Sequence, residues 1–324
     1  MELSAATSLA QGQNPDQMYE WGLAVIRAFQ AAGNPALTLL ARFFSLLGDP
    51  ILYLIILPVL FWCVDEKRGF KLGMTVLISA GINTAIKETL RVPRPFTVDP
   101  SVRITDASAP GFSTPSGHSE NAAAFWPTLV WTGKKNHFGI RVAITFVLPL
   151  CIGLSRIYLG VHYPTDVLLG WAIGAAMSAV ILFGLPPVSR YLASHPINDA
   201  VKTAGRSLRS MKLALAALAA FILNATGSGD TSMGGAVFGF AFGYILLTDG
   251  PETVFSAASG SLIKKAVRLM LGLLVLAVLY AGLKKIFPRE GSEYYALCRF
   301  VRYGLIGFWA TWGGPKLFIK LGLQ

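Results

Sequence analysis

Three short segments of this chain carry side chains that together could bind and cleave a phosphate ester. The residues that we consider candidates for this chemistry are Lys87, Arg94, Ser116, Gly117, His118, Arg156, His162 and Asp166. The stretches around them are strongly apolar, and ionisable groups beside hydrocarbon are costly, so they mark functional sites. Such a set of cations, histidines and one carboxylate predicts phosphoryl chemistry.

Lys87, Arg94 and Arg156 are candidates for binding the phosphate. A phosphoryl group carries close to two negative charges, and a guanidinium group binds its oxygens through two parallel hydrogen bonds. The prolines on either side of Arg94 stiffen the backbone there. The alternative for Lys87, Arg91 and Arg94 is that they extend towards lipid headgroups, and for Arg91 we retain it.

The segment Pro115-Ser116-Gly117-His118 directly precedes an apolar stretch that predicts a helix. Ser116 can cap that helix, and the free N–H groups at a helix N-terminus bind anions. Gly117 allows the backbone to approach a ligand closely. An ordinary capped helix start would explain the first three residues, but it does not explain a histidine beside them.

His162 and Asp166 are four residues apart, so on a helix they would share a face. A carboxylate on one imidazole nitrogen fixes the tautomer and presents the other nitrogen as a base or nucleophile. The alternative is a metal site. Only His118 could complete it, and the three nearby cations would oppose a divalent ion.

The chain that carries these segments has the composition of a polytopic membrane protein. Of its 324 residues, 53% are hydrophobic and 14% are charged, whereas soluble domains carry about 25% charged residues. The net charge of +11 comes from short basic clusters between apolar stretches, which disfavours nucleic-acid binding. Cys63, Cys151 and Cys298 lack disulfide or zinc spacing, so we predict packing roles.

The apolar stretches predict an all-α fold of membrane helices. Residues 1–49 predict amphipathic helices at the membrane interface. Residues 50–187 form the part with the three segments, and its predicted spans cover about 51–64, 70–90, 118–131, 138–158 and 163–185. A basic linker, 188–212, precedes a C-terminal part, 213–324, with about four more apolar helices, near 211–226, 232–248, 266–287 and 299–319. Gly235, Gly239 and Gly243 predict close helix packing there.

The distribution of basic residues predicts the orientation in the membrane. Four loops are predicted to be cytoplasmic, and their basic residues are Lys67, Arg68, Lys71, Lys134, Lys135, Arg141, those of the 186–212 linker, Lys264, Lys265 and Arg268. The three polar segments then fall on the opposite face. We predict a bacterial inner membrane with this face towards the periplasm, in preference to an endoplasmic-reticulum membrane facing the lumen.

Taken together, the three segments resemble the signature of the type 2 phosphatidic acid phosphatase superfamily. That signature consists of Lys-x6-Arg-Pro, Pro-Ser-Gly-His and Ser-Arg-x5-His-x3-Asp, and the chain matches every defining position in order. The resemblance covers roughly residues 50–185 and implies a six-helix-type phosphatase core, which the C-terminal helices extend. Glu120 is not required by the signature, and we predict that it raises the pKa of His118 or contacts a substrate headgroup.

The resemblance also implies a mechanism. His162 would attack phosphorus and form a phosphohistidine, Asp166 would orient it, and His118 would protonate the leaving oxygen. Phosphate binding would fall to Lys87, Arg94, Arg156 and the amides of Ser116 and Gly117. The resemblance implies no cofactor and no metal, because the three cations supply the positive charge.

The implied function is hydrolysis of a lipid phosphate or diphosphate at the membrane surface, with membrane lipids as the chain's surroundings. One alternative is a phosphotransferase that passes the phosphoryl group to a second lipid or a sugar. A second is a transporter or binding protein for lipid or polyprenol phosphates. Binding alone would need the cations, but it has no use for two histidines and an orienting aspartate.

Overall fold

The computed structural model describes residues 15–104, 109–133, 137–184, 200–225, 230–249 and 255–324, and within them the chain is helical without strands. In chain order the helices are α1 (Pro15–Ala31), α2 (Pro35–Leu47), α3 (Pro50–Val59), α4 (Glu66–Leu90), α5 (Pro95–Val98), α6 (Gly117–Trp131), α7 (Phe138–Tyr158), α8 (Pro164–Ala179), α9 (Ala200–Asn224), α10 (Ser232–Thr248), α11 (Leu262–Ile286), α12 (Tyr295–Phe308) and α13 (Gly314–Lys320). The π-helical turns Leu60–Val64, Val180–Gly184 and Trp309–Gly313 continue α3, α8 and α12. The predicted all-α fold is confirmed, including the helices of the C-terminal part. The predicted cytoplasmic residues Lys134 and Lys135 and much of the linker lie outside the described residues.

Several of these helices suit a membrane. The segments Glu66–Val98, Phe138–Tyr158, Pro164–Gly184 and Leu262–Ile286 are long and apolar enough to cross one. The segments Pro35–Leu47 and Pro50–Val64 would add a fifth span if this pair, bent by 47°, crossed as one. The predicted apolar stretches 118–131 and 232–248 form α6 and α10, whose 15 and 17 residues are fewer than the roughly 20 that a span needs.

The N-terminal stretch folds as two helices, as its interrupted apolar pattern predicts. The break between them is set by Asn34, whose side chain accepts a hydrogen bond from the Leu37 N–H (2.9 Å), and by Pro35 at the first position of α2. Both are typical signals of a helix start. The location of α1 and α2 at the membrane interface stays a prediction.

One compact unit comprises residues 1–52 and 82–179, and all eight predicted site residues belong to it. Within this unit α6 packs against α7 and α8. Helices α6 and α8 run parallel, because Ser116 lies against Gly170 near their beginnings and Thr128 bonds Ser178 (3.0 Å) further along. A Cβ on Gly170 would lie 2.6 Å from the Ser116 carbonyl oxygen. The glycine therefore permits the close approach that places the two helix N-termini side by side.

The second unit comprises residues 53–81 and 180–324. Its helices α10 and α12 are in close contact. A Cβ on Gly235 would lie 2.2 Å from the Phe300 carbonyl oxygen, and one on Gly239 would lie 1.9 Å from that of Gly304. The predicted close packing of this glycine face is confirmed.

Arg268 in the same unit corrects one expectation from the charge pattern. It was predicted to be a loop cation facing the cytoplasm, but it is fully buried. Its Nη1 donates to the Trp62 carbonyl (2.7 Å) and its Nε to that of Leu323 (2.9 Å). A guanidinium group has five donors, so one side chain can join several backbone segments. Arg268 is therefore a packing element of this unit.

Candidate active site

The predicted site residues meet at one end of the first unit. Lys87 lies in the last turn of α4 and Arg156 in the last turn of α7. Gly117 begins α6, and Asp166 lies in the first turn of α8. The C-terminal ends of α4 and α7 and the N-terminal ends of α6 and α8 thus bring together segments that are up to 80 residues apart in sequence.

His162 and Asp166 are in contact and almost fully buried. His162 Nδ1 lies 3.3 Å from Asp166 Oδ2, and the two side chains are 3% and 0% exposed. The predicted contact is confirmed, but its geometry differs from two residues on one helix face. His162 precedes α8, while Asp166 reaches back to accept the Tyr163 N–H (2.8 Å). This is the geometry of an N-terminal capping interaction.

Asp166 is held by hydroxyl groups that we did not predict. Ser113 Oγ donates to Oδ2 (2.5 Å), and Thr114 Oγ1 donates to Oδ1. An ionised carboxylate only accepts hydrogen bonds, so this set of donors fits the charged form. The carboxylate is therefore fixed from several sides before it orients His162.

The other ring nitrogen of His162 faces a cation. Nε2 lies 3.2 Å from Arg94 Nη1. Because a guanidinium group cannot accept a hydrogen bond, Nε2 must be the acceptor and Nδ1 must carry the proton towards Asp166. Burial lowers the pKa of His162, while the hydrogen bond to Asp166 opposes that shift. The ring is thus neutral, with its lone pair on Nε2.

Arg94 is oriented by backbone carbonyl groups. Its Nε donates to Gly111 O (3.0 Å), Nη2 to Pro110 O (2.9 Å) and Nη1 to Val161 O (3.0 Å). We expected the flanking prolines to restrict this side chain, and the structure adds these three long-range contacts. They use three of the five N–H donors and direct another at His162.

The other two predicted cations are held less completely. Lys87 Nζ donates to Phe112 O (2.7 Å) and Ser113 O (3.0 Å), which leaves one of its three hydrogens. Arg156 is 5% exposed, and its Nη1 donates to Ser45 Oγ. Its Nε has no hydrogen-bond partner among the described residues. Both side chains therefore keep donors for an anion.

The beginning of α6 has the predicted cap. Ser116 Oγ accepts from the Ser119 N–H (3.4 Å), while the Ser116 N–H donates to the Asp166 carbonyl (2.9 Å). The Ser116 amide, which we expected to bind phosphate, is thus occupied. The N–H groups of Gly117 and His118 belong to the first turn, where an α-helix supplies no partner. They are the amides that this helix end offers to an anion.

His118 is half-buried in the first turn of α6. A Cβ on Gly48 would lie 3.2 Å from the His118 Cβ and Cδ2 atoms, so the ring lies against the end of α2. His118 is within electrostatic range of Arg156, His162, Arg94 and Lys87. The second histidine therefore belongs to the same cluster of charges.

Glu120 is buried near the beginning of α6, and its predicted effect on His118 or a substrate headgroup stays a prediction. It is 1% exposed, and its Oε2 accepts a hydrogen bond from Asn83 Nδ2 (2.6 Å). Asn83 also donates to the Pro115 carbonyl (3.4 Å). A buried carboxylate requires a hydrogen-bond donor. Asn83 of α4 supplies it, so the Glu120 side chain links α6 to α4.

Sequence reasoning missed Ser45, Asn83, Ser113 and Thr114 as parts of the site. The hydroxyls of Ser113 and Thr114 could have been suspected, since they immediately precede the Pro-Ser-Gly-His segment. Ser45 gives no such signal, because it lies 111 residues from Arg156. No cluster of three or more His, Cys, Asp and Glu in the described ranges is arranged to hold a metal ion. Both ring nitrogens of His162 face other groups, which disfavours the metal alternative.

Comparisons with protein families place this cluster in a known context. A family model described as the PAP2 superfamily matches residues 68–186. A second, described as the transmembrane extension of PAP2 superfamily phosphatases, matches residues 231–324. The first match covers the site, and the second covers the C-terminal helices. The chain is an integral membrane protein.

Individual relatives match parts of the chain. Phosphatidylglycerophosphatase B of Bacillus subtilis is 35% identical over 112 residues, which is 32% of this chain and 52% of that protein. Sphingosine-1-phosphate phosphatase 2 of Mus musculus is 30% identical over 146 residues, or 44% and 40% of the two chains. This chain thus spans about half or less of these relatives' lengths. The crystal structure of a transmembrane PAP2-type phosphatidylglycerolphosphate phosphatase from Bacillus subtilis aligns with a TM-score of 0.45 at 24% identity, covering 57% of this chain and 92% of that one.

Proposed function

Because the chain belongs to the PAP2 superfamily, we propose that it is a membrane phosphatase that hydrolyses a lipid phosphate through a phosphohistidine on His162. The observation that carries the proposal is the environment of His162. Its Nδ1 faces a fixed carboxylate and its Nε2 faces a guanidinium group at 3.2 Å. A neutral imidazole with one oriented lone pair is suited to attack phosphorus.

The surrounding donors support the same step. The Arg94 Nη1–H group that now faces Nε2 can turn to a phosphoryl oxygen when phosphorus takes its place. Further donors come from Arg156 Nε, from Lys87 and from the Gly117 and His118 amides. Catalysis of phosphoryl transfer depends mainly on positioning and on such charge stabilisation.

The proposed reaction has two displacements. In the first, Nε2 forms a bond to phosphorus, the bond from phosphorus to the leaving oxygen breaks, and His118 donates a proton to that oxygen. In the second, water attacks phosphorus, His118 accepts the water proton, and the phosphorus–nitrogen bond breaks. Inorganic phosphate leaves and the enzyme is restored. The chain's own cations supply the positive charge, so the steps include no metal ion.

The position of the site supports a lipid substrate. Lys87 and Arg156 lie in the last turns of long apolar helices, where the phosphate of a lipid with its tails in the bilayer can reach them. The relatives named above act, by their names, on phosphatidylglycerophosphate and on sphingosine 1-phosphate. We propose a substrate of this class, with phosphatidic acid and undecaprenyl diphosphate as further candidates.

The proposal includes a periplasmic site in a bacterial inner membrane. Lys67, Arg68 and Lys71 lie in the first two turns of α4, whereas Lys87 lies in its last turn. Basic residues collect on the cytoplasmic side of membrane helices. That distribution supports an outward orientation of the Lys87 end.

A phosphate-release assay tests the proposed activity. Purified protein in detergent is incubated with each of the four lipid classes and with soluble p-nitrophenyl phosphate, with and without EDTA. We expect free phosphate from at least one lipid, at a kcat/KM at least about tenfold above the soluble ester because the lipid adds binding energy, and no effect of EDTA. Phosphate recovered only on an acceptor lipid would identify a phosphotransferase instead. No turnover with any substrate, or loss of activity in EDTA that zinc restores, would contradict the proposal.

The role of His118 predicts a dependence on the leaving group. General acid catalysis contributes about 10²- to 10⁴-fold and matters most when the departing alkoxide is a strong base. We therefore expect His118→Ala to lose about 10³-fold in kcat with a lipid phosphate, but far less with p-nitrophenyl phosphate. The ratio of the two losses is the measurement. Equal losses with both substrates would show that His118 does not protonate the leaving oxygen.

A further inference from the structure

Arg302 in the second unit is a buried cation without a hydrogen-bond partner for its Nε atom among the described residues. It lies on α12 and is 8% exposed. Two tyrosine rings flank its guanidinium group, Tyr303 at 5.0 Å and Tyr280 at 5.9 Å from its central carbon. These ring contacts leave the Nε donor without a hydrogen bond.

Asp230, a carboxylate of the second unit, is already engaged by Arg299, one turn before Arg302 on α12. Asp230 Oδ1 accepts from Arg299 Nε (2.8 Å), and Oδ2 accepts from Nη2 (3.0 Å). A buried guanidinium group without a counter-ion is strongly unfavourable. The environment of Arg302 thus calls for an anion from outside the chain.

An apolar cavity begins at Leu305, one helical turn after Arg302. Leu305, Trp309, Trp312 and Lys316 follow Arg302 at spacings of three and four residues, and all four line a cavity of about 450 Å³. Leu279 of α11 forms part of the opposite wall, next to Tyr280. Arg302 itself does not line the cavity, whose own cations are Lys316 and Lys320. Because Arg302 lies one helical turn before Leu305, it places a cation next to this apolar wall, an arrangement that matches a charged headgroup on a hydrocarbon tail.

We propose that this groove binds an anionic phospholipid, with its phosphodiester on Arg302 and an acyl chain along Leu305, Trp309 and Trp312. Guanidinium groups bind phosphate oxygens through paired N–H donors, and the Nε donor of Arg302 has no other partner among the described residues. The tail explains the apolar lining, and the phosphate supplies the missing counter-ion. The residues of this groove belong to the second unit, whereas His162 belongs to the first.

Tryptophan fluorescence in nanodiscs tests the proposal with the full chain. Discs of phosphatidylcholine receive increasing fractions of phosphatidylglycerol or phosphatidylcholine with brominated acyl chains, because bromine quenches nearby indoles. The signal of Trp309 and Trp312 is isolated by subtracting that of the double variant Trp309→Phe/Trp312→Phe. We expect half-quenching at a phosphatidylglycerol fraction at least about fivefold lower than for phosphatidylcholine, as one cation near a headgroup provides.

Two variants assign the preference to Arg302. Arg302→Gln is expected to remove it, whereas Lys316→Gln, at the far end of the groove, is expected to retain it. If Arg302→Gln does not fold, Tyr280→Leu replaces it, and loss of one ring should reduce the preference at unchanged charge. Equal quenching by both lipids in the wild type, or a preference that survives in Arg302→Gln or disappears in Lys316→Gln, would overturn the proposal. Displacement of the brominated lipid by glycerol 3-phosphate would also do so, because a free phosphate ester would then suffice.

Discussion

Replacing His162 with alanine is expected to lower kcat for phosphate release by at least about 10⁴-fold, since it removes the proposed nucleophile. His162 Nε2 is the acceptor that Arg94 faces, and Nδ1 is held by Asp166. No neighbouring group can take over an attack that depends on both contacts. The measurement is the rate of phosphate release from the preferred lipid in detergent.

A covalent label gives the same variant a second readout. With a ³²P-labelled substrate and rapid acid quenching, the wild type should carry label that is stable in base and lost in acid, as expected for a phosphorus–nitrogen bond. His162→Ala should carry none. The control is His137→Ala, because His137 is exposed and lies outside the site; it should keep both label and turnover. Label at wild-type level in His162→Ala would show that another residue forms the intermediate.

The residues of the candidate site, which the structure brings together, and the helices that carry them were predictable from local signals. The cap at Ser116 has a short-range cause, since a serine before an apolar helix supplies an acceptor for free N–H groups. The glycine face of α10 follows from regular spacing in one helix. Patterns of this kind repeat at fixed distances along the chain and therefore appear in the sequence.

The groups that orient the site were not predictable, because they act over long distances through irregular backbone. Residues 110–114 show this most clearly. The carbonyl oxygens of Pro110 and Gly111 hold Arg94, those of Phe112 and Ser113 hold Lys87, and the hydroxyls of Ser113 and Thr114 hold Asp166. Carbonyl groups exist at every residue, so no residue type indicates which of them will accept a given cation.

This segment also relates the binding and the chemistry of the proposed site. Five consecutive residues contact two of the cations that we propose to bind phosphate and the carboxylate that contacts His162. A shift of this segment would therefore move the cations and the nucleophile together. The proline and glycine at positions 110 and 111 act through their carbonyl groups alone, whereas Ser113 acts through both backbone and side chain.

Asp166→Asn is expected to lower kcat by about 10³- to 10⁴-fold, the loss seen when the carboxylate of a serine-protease triad is replaced by an amide. Asp166 accepts from His162, Ser113, Thr114 and the Tyr163 N–H. An amide would bring two N–H donors to a place surrounded by donors. The amide would no longer hold the proton of His162 on Nδ1. In part of the molecules the proton would then lie on Nε2, and the lone pair needed for attack would be absent there.

The division of this effect between kcat and KM separates orientation from a general loss of structure. Lys87 and Arg156 do not contact Asp166 directly, so KM should change by less than about threefold while kcat falls, as expected when only the transition state is affected. Ser113→Ala is the matched control, because it removes one donor and leaves the carboxylate; we expect a loss of about tenfold or less, the value of one hydrogen bond. A kcat for Asp166→Asn within tenfold of the wild type would contradict the assigned role. An equal loss in Ser113→Ala would move that role from the carboxylate to the hydroxyl that holds it.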